Sequence, residues 1–174
     1  MKLFFALFAL SFVPTISLAA EESPAKDAKP AAKNLLQPTN DLESWVFELN
    51  GDGDGDMKVV EDTIIFTTTK SDGTDWHVQA YQPQLDLEEG KDYVVKFQMK
   101  SPQEVPVLLV ANINQEDWHE IGLHEDVQSG KEFDEFEYEF TATDVADGHN
   151  RIGFVLGLYE GDVIVKDMTL TEKE

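Results

Sequence analysis

A two-residue hydrophobic period runs through the second half of this chain, and it constrains the fold more than any other feature. Tyr93, Val95, Phe97 and Met99 alternate with Val94, Lys96, Gln98 and Lys100. Phe136, Tyr138 and Phe140 alternate with Glu135, Glu137 and Glu139. Ile152, Phe154, Leu156 and Leu158 alternate with Arg151, Gly153, Val155, Gly157 and Tyr159. Successive side chains of a strand point to opposite faces, so each segment can bury one row and wet the other. Thr63 to Thr69 is rich in β-branched residues, Trp76 to Gln82 is mixed, and Val105 to Ile113 is a long apolar run. Val163, Val165, Met168 and Leu170 close the chain, with a change of phase near Asp167. Turn clusters lie between these runs at Ser71 to Thr74, Glu88 to Lys91, Gln128 to Lys131, Asp147 to Asn150 and Glu160 to Asp162. No window of helical length keeps a period of about 3.6 residues. The pattern predicts an all-β fold, a β-sandwich jelly roll of two antiparallel sheets.

The N-terminus is read separately. Lys2, the apolar run Leu3 to Val13 and the small residues around Ala19 have the layout of a signal peptide over residues 1–19. The run is short of the ~20 residues that span a bilayer. Residues 20–33, rich in Ala, Lys, Pro and Glu, read as a flexible tether, and the folded domain is expected over residues 34–174. The chain has no cysteine, which excludes disulfides, thiol catalysis and zinc–thiolate sites. An exported chain without cysteine points to a bacterial periplasm, cell surface or exterior. The 13 basic and 35 acidic residues leave a formal charge of −22. Such a surface repels nucleic acid, anionic membranes and anionic polymers.

Several segments, in order, resemble one family. They are Trp76-His-Val-Gln79, Leu85-Asp-Leu-Glu-Glu-Gly-Lys-Asp-Tyr93, Val95-Lys-Phe-Gln-Met-Lys100, Phe136-Glu-Tyr-Glu-Phe-Thr141, Arg151-Ile-Gly-Phe-Val-Leu-Gly157 and Val163 to Leu170. Asn34-Leu-Leu36 matches the family's opening. Together they are similar to carbohydrate-binding modules of the family 4/9 type. The resemblance implies a jelly roll with a sugar groove on one sheet and no catalysis of its own, serving glycoside hydrolases. The expected partner is a polysaccharide or oligosaccharide, neutral because the negative surface repels anionic chains, and the protein is expected to be a monomer.

A sugar groove needs flat aromatic faces and paired hydrogen-bonding groups. The strand phases put His77, Gln79 and Tyr81 on a groove face, with Val78 and Ala80 in the core. Trp76 shares the core phase and reads as structural. Arg151, Val155 and Tyr159 share the groove face, with Gly153 and Gly157 leaving an open floor. By family analogy, Trp118 or His119 supplies a groove aromatic and Asn112 and Asn114 supply amides, while Val155 departs from the family's hydrogen-bonding residue. Each has a plainer reading: Trp118 as a loop anchor, Gln79 and Asn112 as solvated strand residues, Arg151 as a partner for one of the many carboxylates.

The resemblance also implies a structural calcium ion on Asp167, with Asp41 or Glu43 as its further ligand; no other cofactor is required. Asn50, Asp52, Asp54, Gly55 and Glu61 have the spacing of a calcium loop, yet no helices flank them, so a Gly-Asp hairpin turn is the preferred reading. His119, His124, Glu120, Glu125 and Asp126 form a weak zinc candidate. Asp75-Trp-His77 recurs as Asp117-Trp-His119; the flanks differ, and the echo reads as coincidence. Two rival functions remain: a structural or adhesive envelope protein with a non-binding jelly roll, and a glycoside hydrolase component.

Overall fold

The structure, a computed structural model, describes residues 32–173. The predicted signal peptide and nearly all of the tether lie outside the described residues. In chain order the strands are β1 (Val46–Leu49), β2 (Asp54–Val60), β3 (Thr63–Lys70), β4 (Val78–Leu85) and β5 (Asp92–Lys100). They continue as β6 (Pro106–Ile113), β7 (Glu120–Gln128), β8 (Asp134–Thr141), β9 (Asn150–Val155) and β10 (Gly161–Glu172). Among the described residues the only helices are two single 3-10 turns, Leu42–Ser44 and Asp75–His77.

The strands form two antiparallel five-stranded sheets, ordered β1-β4-β9-β6-β7 and β2-β3-β10-β5-β8. This is the jelly-roll sandwich that the alternation predicts. Between the sheets lie the inward rows: Val78 and Ala80 of β4, Leu109 and Ala111 of β6, Ile152 and Phe154 of β9, and Ile64 and Phe66 of β3. Trp45 meets Phe66 edge-on at 5.0 Å, and Phe97 meets Phe154 at 5.4 Å, so aromatic edges lock the two sheets together. The phase change near Asp167 is a β-bulge. Register slips between Lys166 and Thr169, and Asp167 takes a left-handed φ of 53°.

Two strands escape a reading by apolar alternation. β2 is exposed at every second position and carries Asp54, Asp56 and Lys58. β7 carries Glu120, Gly122, His124 and Asp126 on its outer row, while Ile121, Leu123 and Val127 are buried. The calcium-like run is also explained. Asn50 to Gly53 is a turn closed by the Gly53 amide donating to the Asn50 carbonyl at 3.1 Å. It carries the chain from one sheet to the other, so it is a crossover and not the expected hairpin. Glu61 sits beyond the far end of β2, about 23 Å along a seven-residue strand at ~3.3 Å per residue.

Candidate functional site

The outer face of the β1-β4-β9-β6-β7 sheet is built from rows that run across the strands. Register aligns Glu48, Gln79, Val155, Leu108 and Asp126 in one row. The next row is Val46, Tyr81, Gly153, Val110 and His124, and a third brings together Arg151, Asn112 and Glu120. Over these rows lies a groove of about 580 Å³. Its floor is aliphatic, from Leu108, Val110 and Val155, with Gln79 and Arg151 beside them.

Trp118 and Trp76 stand on the groove's lining, 53 % and 50 % exposed. Trp118 follows the sequence expectation in position. Trp76 does not: it belongs to the 3-10 turn Asp75–His77, where strand phase no longer applies, so it turns outward instead of joining the core. His77 leaves the groove face for the same reason and holds Asp72 Oδ2 through Nδ1 at 2.6 Å. That contact, first among several, draws the Asp72 carboxyl down to about 2.

The two Asp-Trp-His tripeptides are not a structural repeat, yet they are held alike. Gln79 Nε2 donates to the Trp76 carbonyl at 2.9 Å. Asn112 Nδ2 donates to the Trp118 carbonyl at 3.1 Å. Each tryptophan loop is thus pinned by an amide rising from a groove strand, and each following histidine is bound to an aspartate, His119 Nδ1 to Asp117 Oδ1 at 2.7 Å. The echo that reads as coincidence in the sequence therefore marks two loops held in a similar way. His119 Nε2 also faces the Asp144 carbonyl at 2.8 Å. Both partners are acceptors, so an imidazolium donates to both. The Asp144 carbonyl first, then Asp117, holds His119 above its ordinary value, and His119 in turn lowers Asp117.

The groove's interior polar residues are spent on one another. Arg151 is 6 % exposed; its guanidinium lies 4.3 Å over the Tyr81 ring, and Nη2 donates to Gln79 Oε1 at 3.2 Å. Its Nη1 is 3.5 Å from Glu48 Oε2, the plainer ion-pair reading of the sequence, and has no hydrogen-bond partner among the described residues. Tyr81 donates its hydroxyl to Glu48 Oε2 at 2.8 Å. Burial raises Glu48, but hydrogen bonds from Asn50 and Tyr81 and the charge of Arg151 outweigh it, leaving Glu48 below its ordinary value. Burial, then Glu48, raises Tyr81.

The glycine floor is not open. A Cβ at Gly153 would lie 2.1 Å from the Ala80 carbonyl oxygen and 2.5 Å from Tyr81 Cα, so the β4 main chain occupies that space. At Gly157 it would lie 2.4 Å from the Thr74 carbonyl oxygen; the missing side chain lets the Trp76 loop close on the strand end. Asn114 stays outside the groove; its main-chain N–H donates to the His149 carbonyl. Tyr159 also lies outside it, lining a neighbouring cavity. Glu48, Asp75, Glu120 and His124 line the groove although strand phase did not nominate them. Among the described residues, no three His, Asp or Glu side chains gather as a metal site. Asp41 caps the Leu42–Ser44 turn through the Glu43 amide, and Asp167 accepts from Gln98 Nε2 at 3.4 Å. Asp41, Glu43 and Asp167 do not gather as a group of three acidic ligands, and His119 and His124 are each held by a separate acidic partner, Asp117 and Glu120.

The profile of the carbohydrate binding domain family matches residues 35–156, which contain every residue lining the groove. The chain belongs to that family. No curated protein matches the chain in sequence. Among solved structures, the carbohydrate binding domain is similar to a CBM4 structure at 21% identity and a TM-score of 0.69, covering 81% of this chain and 95% of that one. It is also similar to the second N-terminal cellulose-binding domain of Cellulomonas fimi β-1,4-glucanase C, with 16% identity, a TM-score of 0.63, and coverage of 83% and 97%. A third likeness is to the CBM22-1–GH10 modules of Clostridium thermocellum xylanase 10B complexed with xylohexaose. There the identity is 18%, the TM-score 0.55, and the coverage 81% of this chain and 28% of that one. At these identities the likeness is one of fold.

Proposed function

We propose that this carbohydrate binding domain is an exported, non-catalytic module that holds a neutral polysaccharide across the five strands of the groove sheet. The observation that carries the reading is the pair of half-exposed tryptophans on one groove, each braced by an amide from the strand beneath it. A flat indole face covers the apolar face of a pyranose ring, and a braced loop loses little freedom when it does so. Gln79, Arg151 and Tyr81 act as a buried frame for the floor. The ligand's hydroxyls then meet Asp75, Glu120, His124 and the remaining acceptor of Asn112, which line the groove.

Charge supports a neutral ligand. Glu48, Asp75 and Glu120 face the groove, and the buried cation Arg151 is already paired with Glu48. An anionic chain would meet repulsion, with no free Lys or Arg among the described lining residues to offset it. Glu48 and Glu120 are too widely spaced to act as a catalytic pair. Glu48 on β1 and Glu120 on β7 stand on opposite edge strands, about 19 Å apart at ~4.8 Å per strand step. Glycoside hydrolysis needs a carboxyl pair about 5–10 Å apart. Isothermal titration with cello-, xylo- and laminari-oligosaccharides tests the reading. Binding of one series without release of reducing sugar is expected. Hydrolysis, or binding of polygalacturonate in preference to all three, would overturn it.

A further inference from the structure

Beside the groove lies a second cavity of about 340 Å³. Both hollows are lined by Asp75, Leu108, His124 and Val155, so they adjoin along a shared wall. Their directions differ. The groove crosses the sheet and takes lining from all five strands. The second hollow leaves it over Val155 and Leu108 and runs along the strands, toward Pro106 at the start of β6 and Leu158 and Tyr159 just past the end of β9. It is a side lobe, set across the groove's own axis.

A linear chain lying across the strands does not enter such a lobe. A substituent leaving that chain sideways above Leu108 does. At the lobe's outer end stand Leu158 and Tyr159, 51 % and 47 % exposed. Neither packs into the sandwich core. An aliphatic and an aromatic side chain left open on a concave surface suit the face of a sugar ring. Asp75 and Asp126 supply acceptors for its hydroxyls and oppose a uronate.

We infer that this lobe is a branch subsite, taking a neutral side-chain sugar of a decorated glycan whose main chain lies in the groove, with Tyr159 as its platform. The inference rests on the glycan reading above and adds the ligand's architecture to it. Covering about 55 Å² of apolar surface on Leu158 and Tyr159, at ~25 cal/mol per Å², corresponds to about a tenfold gain in affinity.

The test uses two matched pairs: a cello-oligosaccharide with and without one xylosyl branch, and a xylo-oligosaccharide with and without one arabinosyl branch. Titration calorimetry on the wild-type protein should find one branched member bound about tenfold more tightly than its linear partner. Tyr159→Ala should remove most of that difference and leave the linear affinity unchanged. Leu158→Ser should reduce it. Both residues are exposed, so thermal melts of the variants should match wild type. Equal or weaker binding of both branched members overturns the branch subsite while leaving the groove reading intact. So does a Tyr159→Ala loss that is the same for linear and branched ligands. Failure of the wild type to bind any of the four overturns the branch subsite, and the groove reading falls with it only if laminari- and manno-oligosaccharides also fail to bind.

Discussion

Replacing Trp118 by alanine removes the stacking face and almost nothing else. Trp118 is 53 % exposed, and its loop is held by main-chain and neighbouring groups: the carbonyl accepts from Asn112, and its amide donates to the Gln115 carbonyl. None of these contacts uses the indole. An aromatic side chain of ~250 Å² that is half exposed offers about 130 Å², of which one sugar ring covers roughly half. At ~25 cal/mol per Å² that contact contributes about 1.6 kcal/mol, or some fifteenfold in Kd. The cost to the fold should stay within about 0.5 kcal/mol, as for other exposed substitutions. Titration calorimetry with whichever neutral glycan binds reads the first number, and thermal or urea unfolding reads the second. Trp118→Phe should recover much of the affinity. An affinity unchanged within twofold, or a loss of affinity matched by a large loss of stability, would refute the stacking argument.

Other perturbations have equally definite outcomes. The Trp118 loop should respond to pH through His119. The stabilising part of that raised group is complete below its ordinary value of 6.5 and is lost as pH rises through its raised value; that of the lowered Asp117 is complete above 3.8 and is lost on acidification. Affinity should therefore be greatest between those limits and fall toward alkaline pH, and His119→Gln should flatten the alkaline limb when affinity is followed by titration. Gly157→Ala would place a methyl 2.4 Å from the Thr74 carbonyl oxygen and 2.5 Å from that of Asp75, pushing the Trp76 loop off the groove. It should cost about 2 kcal/mol in urea unfolding and weaken binding together, because overpacking forces backbone shifts. Arg151→Ala unstacks Tyr81 and leaves Glu48 without its cation, and should cost about 2–3 kcal/mol in the same assay.

The sandwich was legible because its inward rows are apolar at every second position. Phe97 and Met99, Phe136 and Phe140, Ile152 and Phe154 needed no further information. β2 and β7 were not legible as strands, since charged and glycine residues dominate their outer rows and few apolar neighbours mark the phase. The groove was half legible. Strand phase put Gln79, Tyr81, Arg151 and Val155 on one face, but it could not tell which of them would be consumed in a shared frame. That depends on register with Glu48, a residue on another strand. Trp76 was misread because strand phase was carried through a 3-10 turn that breaks it. Tyr159 was extrapolated past the end of β9, where the chain turns away from the groove. The repeated Asp-Trp-His gave a usable signal for both tryptophans. Its meaning lay in the amides of Gln79 and Asn112, which only the folded sheet brings beneath the two loops.

The central claim, a neutral glycan held between two tryptophans, is tested most directly by affinity electrophoresis through gels containing mixed-linkage β-glucan, laminarin, xylan or mannan, with polygalacturonate as the anionic control. Wild-type protein should be retarded by at least one neutral polymer and not by the control. Trp76→Ala/Trp118→Ala double substitution should run as it does in a gel without polysaccharide. Free migration of the wild type through every neutral gel, or undiminished retardation of the double variant, would contradict the account.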